Sequence, residues 1–254
     1  MEYALNTLLI TQARTGSTRL PGKVLLKVNE KELLRIHLER LSSSNLIDKM
    51  FVATTIKNED DAIINLCKDQ NVSYYRGSEV DVLDRFYQAA KELRPNWVVR
   101  VTSDCPLIDP VLIDAVISFA QTNEVDYCSN GIIENYPDGQ DVEVFKYAAL
   151  ERAWKEAKLK SEREHVTPFI RNNSDVKGGQ LFKAVNFPCI ENYANIRMTV
   201  DEEEDFHLIK KLILELGTGV SWLTYTNYIN EKGLNKINFN IVRNEGYLKS
   251  LKKD

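Results

Sequence analysis

Short apolar runs alternate with amphipathic segments through the first half of the chain. Runs at residues 8–10, 50–54, 72–75 and 97–102 are typical of buried strands, and apolar residues recur at helical spacing over residues 31–44, 58–68 and 80–93. A further helix is predicted to begin at Pro110 with Asp109 as its N-cap, because proline is favoured in the first helical turn. This alternation predicts an α/β fold with a mainly parallel central sheet and helices on both faces.

The second half of the chain is less regular. Strands are predicted at residues 142–145, 181–187 and 196–200, and helices at residues 146–157, from 161 onward, up to 216 and over 222–230. We predict one α/β domain over residues 1–216, with a small β segment that projects at residues 130–145. Residues 217–254 are predicted to form an ordered but peripheral appendage.

Composition narrows the range of partners. The 254 residues carry a net charge of −4, so no overall basic field favours nucleic acid. No apolar run approaches the ~18 residues of a membrane helix, and residues 1–6 lack the pattern of a secretory leader. The four cysteines lie far apart in sequence, which favours reduced thiols and a cytoplasmic location.

The loop of residues 12–23 follows the first predicted strand and has an unusual composition. It contains two glycines, three hydroxyl residues and the cations Arg14, Arg19 and Lys23. Glycines let the backbone approach a ligand, and arginine and lysine neutralise phosphate oxygens, so the loop suits a polyphosphate. It matches neither the P-loop pattern nor G-x-G-x-x-G, and a solvated turn that binds nothing is the alternative.

Two aspartates follow predicted buried strands. Asp104 comes after the strand at 97–102, and Asp201 comes after the strand at 196–200. Ligands of parallel α/β sheets bind beyond the carboxyl ends of the strands, where the cationic loop, Arg76 and Asp104 all fall. Mg²⁺ takes one or two carboxylates together with phosphate oxygens, so the pair suits a magnesium–nucleotide complex. Helix capping is the alternative role for each aspartate.

Other polar groups carry weaker signals. His165 is flanked by Arg163, Thr167 and Arg171, which suits an acidic substrate, although a solvated helix start explains the pattern equally well. Asp138, Asp141 and Glu143 form either a hydroxyl-binding turn or a polar hairpin. No cysteine or histidine cluster has zinc spacing, and no G-x-S-x-G motif is present.

Six stretches together resemble one enzyme family. The sequence resembles cytidylyltransferases that make CMP-linked acidic sugars, such as CMP-Kdo and CMP-sialate synthetases, and is closest to their spore-coat polysaccharide biosynthesis protein F branch. The stretches are QARTGSTRLPGK (12–23), RGSEVDVLDR (76–85), TSDCPLID (102–109), YPDGQDVEVF (136–145), SEREHVTP (161–168) and RMTVDEEEDF (197–206). They occur in order across residues 7–210, so the combination is specific.

The resemblance implies a Rossmann-like nucleotidyltransferase fold of the GT-A type. It implies that Arg14, Arg19 and Lys23 hold a triphosphate, that Arg76 with Gly77 and Ser78 lies at the base pocket, and that Asp104 and Asp201 bind metal. The predicted nucleotide-binding set is Gln12, Ala13, Arg14, Gly16, Ser17, Arg19, Lys23, Arg76, Gly77, Ser78 and Asp104. The predicted acceptor-binding set is Tyr136, Asp138, Asp141, Glu143, Glu164, His165 and Arg197.

The expected reaction is nucleotidyl transfer with Mg²⁺ as cofactor. CTP, or another NTP, would react with a sugar, an acidic sugar or a phosphorylated small molecule for surface polysaccharide biosynthesis. Arg14, Lys23 and Asp104 are the expected catalytic residues, and a homodimer formed through residues 130–145 is expected from the resembling enzymes. A GT-A glycosyltransferase is the alternative, although its Asp-x-Asp motif is replaced here by Ser-Asp-Cys-Pro at 103–106. A nucleotide-binding module without catalysis is a third possibility.

Overall fold

The computed structural model describes residues 5–254. The prediction of no leader at residues 1–6 therefore falls mostly on residues 1–4, which lie outside the described part. No helix between residues 5 and 254 is long and apolar enough to cross a bilayer.

Strands and helices alternate through the first half of the described chain, as the apolar pattern predicts. The strands are β1 (Thr7–Gln12), β2 (Lys27–Val28), β3 (Lys31–Glu32), β4 (Lys49–Thr55), β5 (Ser73–Gly77), β6 (Trp97–Thr102), β7 (Tyr127–Ser129), β8 (Glu143–Lys146) and β9 (Ala184–Asn186). The helices are α1 (Leu33–Leu41), α2 (Asp61–Asp69), α3 (Val82–Ala90), α4 (Pro110–Thr122), α5 (Tyr147–Glu156), α6 (Lys160–His165), α7 (Pro168–Asn172), α8 (Glu203–Leu216), α9 (Trp222–Lys232) and α10 (Glu245–Leu251).

One seven-stranded sheet forms the centre, in the order β5-β4-β1-β6-β8-β7-β9. Strands β5, β4, β1 and β6 are mutually parallel, β8 runs antiparallel to β6 and β7, and β9 is parallel to β7. Gln12 pairs in register with Ala53 of β4 and Thr102 of β6, so these three strands end at one edge. We call this edge the rim. The predicted fold class is confirmed.

Apolar residues alternate along the strands, and both faces of the sheet are buried. Leu9 and Val99 belong to a core cluster that includes α1, α2 and α4, whereas Leu8 and Val98 belong to a cluster on the opposite face with α3 and α5. Because successive strand residues point to opposite faces, both sets of strand residues become buried only when helices cover both faces.

Two predicted boundaries need correction. The helix predicted from residue 31 begins at Leu33, because β2 and β3 form a hairpin whose turn residues Asn29 and Glu30 have positive φ. The helix predicted from residue 80 begins at Val82, because the side chain of Asp81 accepts a hydrogen bond from the backbone N–H of Asp84. The predicted N-cap of α4 is confirmed, since Asp109 accepts from the N–H of Val111 at 2.8 Å.

The strand predicted at residues 196–200 is wrong as a strand of the sheet. Its only pairing within the described chain is a single bridge between Arg197 and Asp138. Ile196, Met198 and Val200 are nevertheless fully buried, in a third core cluster with α8 and α9. Their alternation therefore indicates a buried extended segment. The apolar pattern alone does not distinguish such a segment from a strand.

The segment at residues 130–145 has both buried and exposed residues, and its projection as a small β segment stays a prediction. Its last residues belong to β8 of the central sheet. Asn130 and Gln140 are buried, whereas Ile133 and Glu134 at its tip are exposed.

The residues after 216 make several hydrogen bonds to the preceding part of the chain. Arg40 of α1 donates to the carbonyls of Thr218 and Val220, and the N–H of Trp222 donates to Asp109. α10 packs against α6. Polar and charged side chains make many of these contacts, and such contacts leave no apolar periodicity in the sequence. The domain boundary at residue 216 stays a prediction.

Candidate active site

The cationic loop leaves β1 at the rim and is fixed at both of its ends. Thr15 donates from its N–H and its hydroxyl to Asp60 Oδ1, each at 2.7 Å. Gly22 then adopts φ +68°, which favours glycine, and it immediately precedes a short 3₁₀ helix, Lys23–Leu25. This turn places Lys23 at the sheet edge instead of in solvent.

Lys23 joins the two predicted metal-binding aspartates. Its Nζ lies 2.8 Å from Asp104 Oδ2 and 2.7 Å from Asp201 Oδ1, and its side chain is 11% exposed. Arg19 Nη2 lies 2.8 Å from the same Asp201 oxygen. The structure therefore brings together four charged residues that are distant in sequence, two cations and two carboxylates.

Asp104 is held rigidly at the end of β6. Its carbonyl accepts from the N–H of Val200 at 2.8 Å, and neighbouring Ser103 donates to the carbonyl of Gln12 at 2.6 Å. Burial by itself raises the pKa of Asp104, but the charge and hydrogen bond of Lys23 outweigh burial and hold the pKa well below its ordinary value. Burial lowers the pKa of Lys23, and the two aspartates more than reverse this, so the pair stays ionised.

Asp201 is positioned by Arg197. The guanidinium of Arg197 lies 2.9 Å from Asp201 Oδ2, 2.8 Å from Asp205 Oδ1 and 2.5 Å from Asp138 Oδ2. Burial and repulsion by Asp141 raise the pKa of Asp138 to about 7, although Arg197 opposes this shift. Arg197 is predicted to bind the acceptor, and this role stays a prediction; in the structure its guanidinium contacts three carboxylates.

The other predicted nucleotide-binding residues lie along the β4 and β5 side of the rim. Arg14 is half exposed, and its Nη1 lies 3.4 Å from Glu79. Arg76 donates to the carbonyls of Thr55 and Lys57 and pairs with Asp61, so each of its three guanidinium nitrogens has a partner. Ala13 is buried, Gly16 and Ser17 are partly exposed in the loop, Gly77 ends β5, and Ser78 follows it. The Oε1 atom of Gln12 is buried and has no hydrogen-bond partner among the described residues.

On the other side of the rim, Glu143 is the centre of a buried polar cluster. Arg100 forms an ion pair with it, the Tyr127 hydroxyl donates to its Oε1 at 2.6 Å, and Thr167 donates to the same oxygen at 2.5 Å. Burial and the nearby Arg100 charge lower the pKa of His165 to about 4, so its ring is neutral at pH 7. This cluster contains two of the predicted acceptor-binding residues.

The remaining predicted acceptor residues contact the end of the chain. The Tyr136 carbonyl and Asp141 Oδ1 both accept from Arg243, at 3.1 and 2.6 Å. Glu164 Oε2 accepts from Ser250 at 2.7 Å.

Several residues that contact the predicted site residues are not predicted from sequence. Arg100 carries the clearest missed signal, because a charged side chain within the apolar strand WVVRVT needs a buried partner. Asp60 and Glu79 read as ordinary helix-start and turn acids, and Arg243 and Glu245 lie in a tail without a motif. From residue 5 onward, no group of three or more Asp, Glu, His or Cys side chains is placed to hold a metal.

A mainly parallel sheet whose rim carries a cationic loop and two aspartates fits the class of nucleotidyltransferases. Residues 8–234 match a family model described as cytidylyltransferase. The chain is 36% identical to the spore coat polysaccharide biosynthesis protein SpsF of Bacillus subtilis over 220 residues, 83% of this chain and 87% of that protein. It is 47% identical to an uncharacterized protein of Methanocaldococcus jannaschii, over 82% of this chain and 81% of that protein.

The comparison with solved structures also finds similarity to a cytidylyltransferase. A cytidylyltransferase from Leptospira borgpetersenii superposes with a TM-score of 0.83 at 30% identity, over 94% of this chain and 98% of that one. The chain belongs to the cytidylyltransferase family, enzymes that transfer a cytidylyl group. The resemblance seen in the six sequence stretches is confirmed, and the glycosyltransferase alternative falls away. The roles of the individual site residues stay predictions.

Proposed function

We propose that this chain catalyses Mg²⁺-dependent transfer of CMP from CTP to an anionic small molecule, and releases pyrophosphate. The observation that carries the proposal is the contact of Lys23 with both Asp104 and Asp201, with Arg19 on the same carboxylate. This arrangement supports the predicted convergence of the cationic loop and the two aspartates at one point of the rim.

The donor set at this point fits magnesium. Two carboxylates are what Mg²⁺ takes from a protein when phosphate oxygens and waters complete its shell. Lys23 already places a positive charge between the two carboxylates. Arg19 and Lys23 balance Asp104 and Asp201, two positive charges against two negative, so the four residues offer a triphosphate no net positive charge. A divalent cation held by Asp104 and Asp201 would supply that charge and polarise the α-phosphate.

The side chains of the loop would then act mainly by position and charge. Arg14, Arg19 and Lys23 would bind the triphosphate oxygens and orient the α-phosphorus. An acceptor oxygen attacks the α-phosphorus in line, its new P–O bond replaces the bond to the β-phosphate bridge, and pyrophosphate leaves with that electron pair. The acceptor proton passes to solvent. Such transfers need little covalent help from the protein, because fixed charges stabilise the transition state.

The acceptor side favours a negatively charged molecule. Arg100 pairs with Glu143, and the charge of the same carboxylate acts on His165 and Arg171. Each of these three residues has a buried nitrogen without a partner among the described residues. A carboxylate or phosphate would accept from the two arginine nitrogens. The name of the Bacillus subtilis relative supports a role in surface polysaccharide biosynthesis. We further propose a homodimer and a cytoplasmic location, the latter because all four cysteines are free thiols.

A pyrophosphate-release assay tests the function. The purified chain is incubated with Mg²⁺, one of CTP, UTP, ATP or GTP, and acceptors that include 3-deoxy-manno-octulosonate, N-acetylneuraminate and glycerol 3-phosphate. We expect acceptor-dependent release with CTP, at least tenfold faster than with the other nucleotides. Equal rates with all four nucleotides would contradict the base assignment, and a neutral sugar as the sole active acceptor would contradict an anionic acceptor.

A further inference from the structure

The C-terminal segment, residues 243–254, contacts both sides of the proposed site. On the nucleotide side, Glu245 Oε2 lies 3.3 Å from Arg19 Nη1. On the acceptor side, Arg243 donates to Asp141 and to the carbonyl of Tyr136. One short segment therefore joins groups that the nucleotide and the acceptor would each use. The segment lies outside residues 8–234, the range that the family model matches.

The same segment also covers the polar cluster on the acceptor side. The Tyr247 ring packs edge-on against His165 at 5.1 Å, and the Arg171 guanidinium lies 5.3 Å from the centre of the Tyr247 ring. Ser250 donates to Glu164. The segment therefore covers His165 and Arg171, each of which keeps one buried nitrogen without a partner in the described chain.

We propose that the C-terminal segment is a cover over the acceptor side of the site, and that the Glu245–Arg19 ion pair is its latch. This inference rests on the proposed function, because it takes Arg19 as a ligand of the triphosphate. Glu245 and a triphosphate compete for one guanidinium, and their like charges repel each other. An ion pair this exposed is weak, so a bound polyanion displaces it. CTP binding thus removes one of the contacts that hold the cover, so that the cover opens more often before the acceptor enters.

Hydrogen–deuterium exchange of the full chain, with and without CTP and Mg²⁺ and without acceptor, tests the release. We expect peptides that cover Glu245–Leu251 to exchange faster when CTP is present, while peptides of residues 12–23 become protected and peptides of α5 stay unchanged. Protection of residues 12–23 with unchanged or slower exchange of α10 would overturn the cover. No protection of residues 12–23 would mean that CTP does not bind there, which would overturn the proposed function together with the cover.

A charge-removing variant tests the latch itself. In Glu245→Gln the competitor for Arg19 loses its charge, so we expect the Kd for CTP, measured by calorimetry with Mg²⁺, to fall by about two- to fivefold. The matched control is Glu231→Gln on α9, because among residues 5–254 Glu231 forms an ion pair only with the neighbouring Lys232. The Kd of this variant for CTP should not change. A Glu245→Gln variant that binds CTP equally well or more weakly would show that the pair merely supports the fold.

Discussion

At the residue scale, the rim is defined by which charges lie within reach of one another. Lys23 is nearly buried, yet it stays ionised because two carboxylates lie within 2.8 Å of its Nζ. Removing either partner from such a cluster leaves a charge without compensation. The role of each member is therefore best tested by changes that keep its shape and remove its charge.

Asp104→Asn should abolish turnover and leave the fold intact. The amide oxygen can still accept from Lys23, so the thermal midpoint should shift by only a few degrees. Loss of the carboxylate charge should lower kcat for pyrophosphate release by about 100-fold or more. The control is Asp69→Asn, which alters an exposed ion pair with Arg35. An Asp104→Asn enzyme that turns over at the parent rate would remove Asp104 from the catalytic machinery.

Lys23→Met should raise the affinity of the free protein for Mn²⁺, a spectroscopic substitute for Mg²⁺. The ammonium occupies one oxygen of each aspartate, and its removal leaves two carboxylates that favour a divalent cation. We expect Mn²⁺ titrations followed by electron paramagnetic resonance, without nucleotide, to show binding at least about fivefold tighter than in the parent. Lys27→Met, at an exposed lysine, should bind like the parent. Equal affinity in all three proteins would mean that the aspartates do not form the metal site.

Acid should destabilise the fold through two neutral histidines. Burial lowers the pKa of His37 to about 4, and that of His165 likewise, whereas both titrate near 6.5 when unfolded. Below pH 6.5 the unfolded chain takes up protons that the folded chain does not, so stability present above pH 6.5 is lost as pH falls toward 4. The loss is at most about 3 kcal/mol for each histidine.

Urea unfolding at pH 7 and pH 5 measures this linkage. His37→Gln should lose less stability between the two pH values than the parent does. His207→Gln should lose as much as the parent, because His207 lies on the surface. Identical losses in the His37→Gln variant and the parent would exclude His37 as a source of the acid sensitivity.

At the scale of elements, a close backbone contact between Gly139 and Met198 positions the segment that leads to Asp201. Gly139 has φ +100°, and a Cβ there would lie 2.6 Å from the carbonyl carbon of Met198. Asp138 exchanges backbone hydrogen bonds with the same segment, to Ile196 and Met198. The extended segment before Asp201 therefore rests directly on the turn at residues 136–141.

Gly139→Ala should be far more disruptive than an alanine at another positive-φ glycine. The added methyl meets backbone atoms that cannot rotate away, so we expect a loss of about 3 kcal/mol or more. Gly178→Ala, where φ is +80° but no atom lies within 4 Å of the Cβ, should lose only about 1 kcal/mol. Urea midpoints measure both. Equal losses would mean that backbone conformation alone matters at Gly139.

The elements that could be predicted are those that bury one continuous apolar face. β1, β4, β5 and β6 and the helices between them follow directly from hydrophobic period. The β2–β3 hairpin could not be predicted, because its two-residue strands contribute one buried apolar residue, Val28, and depend on positive φ at Asn29 and Glu30. The extended segment at residues 196–200 is predicted as a strand because a buried extended segment without β-sheet hydrogen bonds has the same apolar pattern.

At the scale of the whole molecule, the rim could be predicted in part. Asp104 and the cationic loop that carries Lys23 come together because β6 and β1 are parallel and end at one edge. Asp201 reaches the same edge from a buried extended segment that is not a strand of the sheet. Arg243 and Glu245 come from the end of the chain and carry no local signal in the sequence. Arg100, inside an apolar strand, indicates only that some buried partner exists and does not identify Glu143. Tertiary ion pairs of this kind depend on the folded path of the chain and not on spacing in sequence.

The last prediction concerns assembly. Ile133 and Ile190 are exposed, and the loops that carry them are joined by hydrogen bonds from Ile133 N–H to Asn186 and from Tyr193 N–H to the Asn135 carbonyl. Adjacent exposed apolar side chains favour a protein interface. If the proposed dimer uses this surface, Ile133→Asp should convert dimer to monomer in analytical ultracentrifugation. Ile56→Asp, equally exposed elsewhere, should leave the dimer intact. A dimer that survives Ile133→Asp would place the interface on another surface, and a monomeric parent would end the dimer proposal.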